Sequence, residues 1–376
     1  MFQKNPIVIL TKGYPSKKNT RYTFVHNLVN QFCLNSQNCI VIAPQSVSSI
    51  LKMKLKLDSF KTVYDYPNSK LIVLRPFYIS FSKSLLVIQN YLFKHALLRV
   101  LKKINKQYKD YFIYSHFWEP AILIKDFLIE KTKSVTIASG ESEINIKKSL
   151  NASDLNKIVK GLVAVSSKNL NESKFVFNYE FENYLISPNS VDLNRFKPYT
   201  NLILRNQLRI KSDQFIVGFL GGFNNRKGIN RLNDALKSIN DVSIKAIFIG
   251  DGEINPDYGN IIFKEKVTNK VVPDLLNLCN VFVLPTLAEG CSNAIIEAMA
   301  CGLPIISSDL SFNYDILSSD NSILINPNDI FSLEKAILNL KNNKKLRFKM
   351  ANNSLIKAQS LCIEKRSKKI LKFINE

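Results

Sequence analysis

The sequence predicts an α/β protein built from two doubly wound domains, and three observations carry that expectation. Short apolar, β-branched runs recur along the chain, most of them 25–40 residues apart. Amphipathic stretches fill the intervals, which is the pattern of βαβ units around a parallel sheet. The alternation breaks at a proline-bounded segment near residue 190 and then restarts. A length of 376 residues suits two domains of ordinary size.

Taken in order, the strand-like runs of the first half are Pro6–Leu10, Cys39–Ala43, Leu71–Leu74, Tyr111–Ser115, Ser134–Ala138 and Leu162–Val165. Arg21–Phe32 and Ser84–Ile104 are the clearest helices between them. After Tyr184–Ser187 come Pro188-Asn189-Ser190-Val191-Asp192 and Phe196-Lys197-Pro198, whose turn-forming residues and two prolines mark the domain boundary. Strands are then expected at Phe215–Leu220, Ile244–Ile249, Val281–Leu284, Leu303–Ile306 and Ile323–Ile325. Helices are expected at Ile229–Ile239, Pro273–Cys279 and Ser292–Cys301. The expected domains are 1–187 and 188–360, with a basic C-terminal helix over 361–376 as a candidate to pack back on the first domain. Folds of this class bind ligands where loops leave the carboxyl ends of strands, so the cleft between two facing domains is the expected site.

Composition excludes several classes. Hydrophobic residues make up 46% of the chain, too many for a mainly disordered protein. No run of about 18 uncharged apolar residues occurs, so no spanning helix is expected. The opening MFQKNPIVIL carries too brief an apolar run for a signal-peptide core, and the chain reads as soluble and intracellular. Six cysteines without a CxxC pair, and only three histidines, argue against zinc and for buried free thiols. The net charge is +22, with 27 Lys/Arg against 12 Asp/Glu in residues 1–185 and 25 against 18 in the rest. A field of that sign attracts polyanions: nucleic acid, anionic lipid or phosphorylated substrates.

Two constellations carry chemistry. Gly218-Phe219-Leu220-Gly221-Gly222-Phe223-Asn224-Asn225-Arg226-Lys227-Gly228 follows a strand and opens a helix. It places Arg226 and Lys227 at a helix N-terminus, where cations are disfavoured unless an anion is shared with the free amides. A solvated basic turn is the plainer reading. Neither GxGxxG nor the P-loop pattern is present. The second constellation runs Pro285-Thr286-Leu287-Ala288-Glu289-Gly290-Cys291-Ser292-Asn293-Ala294-Ile295-Ile296-Glu297, closing with Gly302-Leu303-Pro304. Ser292 is placed to cap a helix that Gly302 and Pro304 end. Asn293 and Glu297 share one face of it, four residues apart. Glu289 and Glu297 thus bracket a helix N-terminus, an arrangement able to hold a diphosphate on amides and sugar hydroxyls on carboxylates.

With these residues in view, the chain resembles the family-4 glycosyltransferases, retaining enzymes of the GT-B fold used in bacterial surface polysaccharide assembly. The Glu-x7-Glu segment from Glu289 to Glu297 is the most specific match. Arg226-Lys227-Gly228, Ile249-Gly250-Asp251-Gly252, the Pro188–Phe196 segment and Gly13-Tyr14-Pro15 with Phe24-Val25 support it in the right order. The resemblance implies two facing Rossmann-like domains with an interdomain cleft, the first on the acceptor side and the second binding a nucleotide-diphosphate sugar. It implies that Lys227 binds the donor diphosphate with Arg226 beside it, that Glu289 holds the donor sugar, and that Glu297 takes the ribose hydroxyls. The backbone of Gly290, Cys291, Ser292, Asn293 and Ala294 would lie along the phosphate, and Gly13 would let the first loop approach closely. No cofactor and no metal is implied, and no DxD triplet is present. The implied partners are the nucleotide sugar and a glycan or lipid-linked acceptor.

Two positions depart from the family pattern. An Arg common five residues before the motif lysine is Gly222 here, with Arg226 a candidate to replace its charge. A His common at the end of a first-domain strand is replaced in Ala138-Ser139-Gly140-Glu141, where Ser139 and Glu141 become acceptor-side candidates. His116, in Ser115-His116-Phe117-Trp118-Glu119, is a third candidate, a packed histidine being the plainer reading. Ser84–Lys103 interleaves apolar residues with Lys94, His95, Arg99, Lys102 and Lys103. It suits an anionic membrane surface on the inner face of the cytoplasmic membrane, or a core helix with a basic face. The rival readings are a GT-B protein of other or lost activity, such as a nucleotide-sugar epimerase, and a polyanion-binding protein. For the last, charge is the sole support, and no nucleic-acid-binding module is expected.

Overall fold

The computed structural model describes residues 5–16, 22–48, 57–81, 85–140 and 151–376. The chain divides into two compact units. The first comprises Met1–Val165, Asn169–Ser187 and Ile363–Glu376, and the second Ser166–Lys168 with Pro188–Cys362.

The first unit runs β1 (Ile7–Leu10), α1 (Thr23–Leu34), β2 (Cys39–Ile42), β3 (Gln45–Ser46), β4 (Lys61–Tyr66), β5 (Ser69–Leu74) and β6 (Phe77–Tyr78). It continues with α2 (Leu86–Gln107), β7 (Phe112–His116), α3 (Trp118–Leu123), α4 (Lys125–Glu130), β8 (Val135–Ser139), α5 (Ala152–Ile158), β9 (Val159–Ala164), α6 (Ser167–Phe177) and β10 (Tyr184–Ile186). Its main sheet has the order β10-β9-β8-β7-β1-β2-β5-β4. The strands are parallel except β4, which pairs antiparallel with β5. That edge hairpin escapes the sequence reading because Lys61–Tyr66 is largely exposed and carries no buried apolar run. From β1 the chain fills one side through β2 and β5, then returns to the other side at β7. The strand order therefore reverses between β1 and β7.

The second unit begins with α7 (Leu202–Gln207), β11 (Phe215–Leu220), α8 (Ile229–Ile239), β12 (Ile244–Ile249), β13 (Ile261–Glu265) and α9 (Val272–Leu276). It ends with β14 (Val281–Leu284), α10 (Asn293–Ala300), β15 (Ile305–Ser308), β16 (Ser322–Ile325), α11 (Ile330–Asn342) and α12 (Lys344–Ser360). Its all-parallel sheet has the order β13-β12-β11-β14-β15-β16, reversing between β11 and β14. Strands β11, β12 and β14 are almost wholly buried, which is why they read as continuous apolar runs.

The last helix, α13 (Ile363–Asn375), belongs to the first unit. Ile370, Leu371 and Ile374 enter the cluster formed by Val25, Leu28 and Phe32 of α1 and Ile7, Ile9 and Tyr114 of the sheet. Helix α2 differs from a simple core helix. Its buried residues start at Phe93, whereas Leu86, Val87, Ile88 and Tyr91 are exposed. None of the six cysteines forms a disulfide, and all six are buried.

The α13 packing has a direct consequence. Ile370 is fully buried, so Ile370→Ala should lower the unfolding free energy by about 2–5 kcal/mol in a denaturant melt. A loss below ~0.5 kcal/mol would show that α13 does not complete the first core.

Candidate active site

Open parallel sheets leave a crevice beyond the strand ends wherever strand order reverses. In the second unit that point lies between β11 and β14, and the two chemical constellations of the sequence are the loops leaving those two strands. Their backbones touch. Gly228 sits at φ 81, and a Cβ there would lie 2.3 Å from the Pro285 carbonyl oxygen. The Arg226 carbonyl accepts from the Leu287 amide at 2.8 Å and from Thr286 Oγ1 at 3.1 Å. A third loop, after β12, closes the other side. Phe223 N donates to the Asp251 carbonyl at 2.7 Å, and a Cβ on Gly250 would fall 1.9 Å from the Gly221 carbonyl oxygen.

This packing joins side chains that lie 62 residues apart. Lys227 Nζ forms an ion pair with Glu289 Oε1, Arg226 Nη1 lies 3.7 Å from the same oxygen, and Thr286 Oγ1 donates to it at 3.4 Å. Arg226 Nη1 also donates to the Ala288 carbonyl at 2.7 Å. Glu289 is only 6% exposed, and its carboxylate faces these two cations. Arg226, about half exposed, is the cation of the group turned most toward solvent. Gly222 stands in the loop beside Asn224 and carries no side chain toward this cluster.

The loop then enters α10. Ser292 is its N-cap residue by backbone, but its side chain makes no capping bond, contrary to the sequence expectation. Ser292 Oγ is buried without a partner, beside the first-turn amides that a helix leaves unpaired. Cys291 is tied to the linker: its carbonyl accepts from Asn189 Nδ2 at 3.0 Å and its Sγ from the Asn189 amide at 3.4 Å. Gly290 and Cys291 are buried, Asn293 is exposed and Ala294 is intermediate. Glu297, half-buried one turn into α10, has its carboxyl pushed up to about 7 by burial, with nearby Arg195 acting the other way.

Two residues of this framework escaped the sequence reading. Arg231 on α8 is buried and donates to the Pro285 carbonyl from Nε at 3.3 Å and Nη2 at 2.8 Å. It also reaches the Asn225 carbonyl and Oδ1, each at 2.9 Å. It thus braces the loops carrying Lys227 and Glu289 and adds a positive charge behind them. Its spacing, four residues after Lys227, was the one available hint. Arg195, near Glu297, could not be tied to it from sequence, because 102 positions separate them.

In the first unit the reversal point brings together the ends of β1 and β7. Gly13 lies against the Tyr22 ring, where a Cβ would sit 2.6 Å from Cδ2. Lys12 pairs with Glu119. His116 ends β7, buried among Phe24, Tyr114 and Phe117. Burial first, and Arg366 second, push its imidazole down to about 3. It is therefore neutral at ordinary pH, and its Nδ1 has no hydrogen-bond partner. Phe117 follows at φ 83 and ψ 163, a conformation costing a non-glycine residue roughly 1–3 kcal/mol. Ser139 is corrected from a substrate-facing candidate to an internal one. It is buried, and its Oγ accepts from Trp118 Nε1 at 2.9 Å and meets Ser173 Oγ at 3.3 Å. Glu141 lies outside the described residues. Among those described, no group of three His, Cys, Asp or Glu is placed to hold a metal.

Residues 214–343, which include Lys227, Glu289 and Glu297, match the family described as group 1 glycosyl transferases. The putative teichuronic acid biosynthesis glycosyltransferase TuaC of Bacillus subtilis is 31% identical over 181 residues, 47% of this chain and 45% of that one. The UDP-Gal:alpha-D-GlcNAc-diphosphoundecaprenol alpha-1,3-galactosyltransferase of Escherichia coli is 30% identical over 183 residues, 44% of this chain and 47% of that one. The matches thus span about half the length of these curated relatives. Among solved structures, sucrose-phosphate synthase from Thermosynechococcus elongatus aligns with a TM-score of 0.75 at 17% identity, over 99% of this chain and 98% of that one. Anabaena HepE in complex with UDP and glucose aligns at 0.72 and 16%, over 99% and 100%. The fold is GT-B.

Two outcomes are expected from this geometry. Arg231→Met strands buried carbonyls and should cost about 2–3 kcal/mol of stability by denaturant melt, whereas an unchanged midpoint would remove its bracing role. Glu297 binds its proton more tightly in the folded chain (about 7, against 4.5). Its contribution to stability is therefore complete below about pH 4.5 and is lost as pH rises through 7. Glu297→Gln should gain melting temperature relative to wild type across that window and hold the gain above it. Parallel melting curves from pH 5 to pH 8 would refute the assignment.

Proposed function

We propose that the protein is a retaining, family-4 glycosyltransferase that moves a sugar from a nucleotide-diphosphate donor to a glycan or lipid-linked saccharide in surface polysaccharide synthesis. The observation that carries this reading is the Lys227–Glu289 pair at the β11/β14 reversal, next to the unpartnered Ser292 hydroxyl and the first turn of α10. Such a place offers positive potential to a diphosphate and a carboxylate to a sugar. The matched relatives support it: TuaC is named for teichuronic acid biosynthesis and the Escherichia coli enzyme for a diphosphoundecaprenol-linked acceptor. HepE, of the same fold, is described with UDP and glucose.

In this reading Lys227 and Arg226 meet the donor diphosphate, and the amides of Ser292–Ala294 receive its oxygens as charge builds on the leaving group. Ser292 Oγ, which lacks a partner, donates to a phosphate oxygen. Glu289 exchanges part of its ion pair for hydroxyls of the donor sugar. Glu297 accepts from the ribose, which favours its ionised form, so donor affinity should rise with pH through about 7. The sugar is delivered to the same face, the departing phosphate taking the acceptor proton. The scheme places no metal between protein and diphosphate, because Lys227, Arg226 and the helix amides supply the compensating charge.

Peripheral attachment to the inner face of the cytoplasmic membrane is part of the same proposal. No helix among the described residues is long and apolar enough to cross a membrane. The exposed Leu86, Val87, Ile88 and Tyr91 at the start of α2, in a half of the chain with a net +15, suit an anionic bilayer surface.

A thermal-shift panel of UDP, GDP, CMP and their sugars, with and without EDTA, tests the donor. One nucleoside diphosphate should raise the melting temperature independently of EDTA. Lys227→Ala and Glu289→Gln should each lower turnover by about 10²–10³ while the fold is retained. Wild-type turnover in both, or no shift with any nucleotide, would refute the assignment.

A further inference from the structure

One buried arginine of the first unit has no counter-ion among the described residues. Arg75 follows β5 and is 3% exposed. Its Nη1 donates to Thr62 Oγ1 at 2.9 Å and its Nη2 to the Pro15 carbonyl at 3.2 Å. Its Nε is buried with no partner, and no carboxylate among the described residues forms an ion pair with it. Arg231, the comparable buried guanidinium of the second unit, spends Nε and both Nη groups on carbonyl oxygens. A buried charge is normally paired or fully hydrogen-bonded, because its lost hydration must be replaced. Arg75 is neither.

Its place in the fold suggests what it is kept for. Leu10, Ile42 and Leu74 are in register across β1, β2 and β5, so Arg75 stands just past the carboxyl ends of these strands. Its bond to Pro15 attaches it to the loop that carries Gly13. Two residues later an apolar ribbon begins: Phe77, Ile79 and Phe81 are all exposed, while the alternate Tyr78 turns inward onto Phe93. The ribbon is linked to the exposed start of α2 through the Phe81 amide, which donates to Gln89 Oε1 at 3.2 Å. An unspent guanidinium beside an exposed apolar ribbon matches an amphiphile whose anionic group adjoins a hydrocarbon chain. The planar fork of arginine suits phosphoryl oxygens.

We propose that Arg75 and the Phe77–Phe81 ribbon form a subsite for the phosphoryl group and first hydrocarbon segment of a lipid-phosphate or lipid-diphosphate acceptor. The proposal rests on the transferase reading and adds to it the chemistry of the acceptor. Nε and the remaining Nη hydrogens take the phosphoryl oxygens, with the longer contact to the Pro15 carbonyl yielding on entry.

Calorimetric titration of the 376-residue chain with farnesyl diphosphate and with inorganic diphosphate, both under a saturating level of the nucleotide that raises its melting temperature, tests it. Farnesyl diphosphate should bind wild type, and Arg75→Gln should weaken it by about tenfold or more, with partial rescue in Arg75→Lys. Ile79→Ser should weaken farnesyl diphosphate and leave inorganic diphosphate unaffected. Arg75→Met, relieved of a buried unpaired charge, should melt no lower than wild type. A purely structural arginine would give the opposite pair of results, a lower melting temperature with probe binding intact. Absent binding to wild type, or undiminished binding to Arg75→Gln, overturns the subsite. Equal binding of the two diphosphates overturns its lipid half. Nucleotide binding alone, measured first with UDP, GDP and CMP, separates the two readings: its absence for all three refutes the donor assignment, while Arg75-dependent farnesyl diphosphate binding stands or falls independently.

Discussion

The contact of Gly228 with the Pro285 carbonyl is the constraint on which the candidate site depends. Two loops that leave neighbouring parallel strands approach until backbone meets backbone, and no side chain fits between them. Only then do Lys227 and Glu289 reach each other. The approach is possible because strand order reverses between β11 and β14. The helices that follow these strands therefore leave to opposite sides and open a crevice. Arg231 holds the approach from below with hydrogen bonds to both loops.

Electrostatics within this frame is unbalanced in an informative way. Glu289 is buried and kept company by two cations, whereas Glu297 is driven toward its neutral form by the same apolar surroundings that build the core of α10. Ser292 occupies the N-cap without using its hydroxyl. A helix whose cap does not cap, beside a carboxylate poised near neutrality, retains hydrogen-bonding capacity that folding leaves unspent. Natural interiors seldom leave such groups unpaired without a reason of function.

The first unit repeats the geometry with different chemistry. Its reversal point gathers Gly13, Lys12, Glu119 and a neutral His116 whose Nδ1 is open. Phe117 is held in strained backbone beside it, and its ring packs where a side chain on Gly140 would have to go. Ser139 serves the interior, holding Trp118. The hydroxyl at the end of this strand is thus spent on packing.

Much of the fold was legible from sequence for a simple reason. In parallel sheets buried on both faces, strands such as Phe215–Leu220, Ile244–Ile249 and Val281–Leu284 must be apolar throughout, and they are found at those residues. The edge strand Lys61–Tyr66 lacked that signature because only one neighbour and little core constrain it. The resemblance assigned Arg226, Lys227 and Glu289 to one donor, but the ion pair between Lys227 and Glu289 joins residues 62 positions apart, which no local pattern specifies. Local residue patterns suffice for the sheet-forming runs and for the glycines that allow close loops. Tertiary structure alone decided which hydroxyls and cations remain unspent, as with Ser292 and Arg75, and which are consumed, as with Ser139 and Arg231. The physical reason is that hydrogen-bond satisfaction depends on partners brought from distant strands, and no local pattern of residues specifies it.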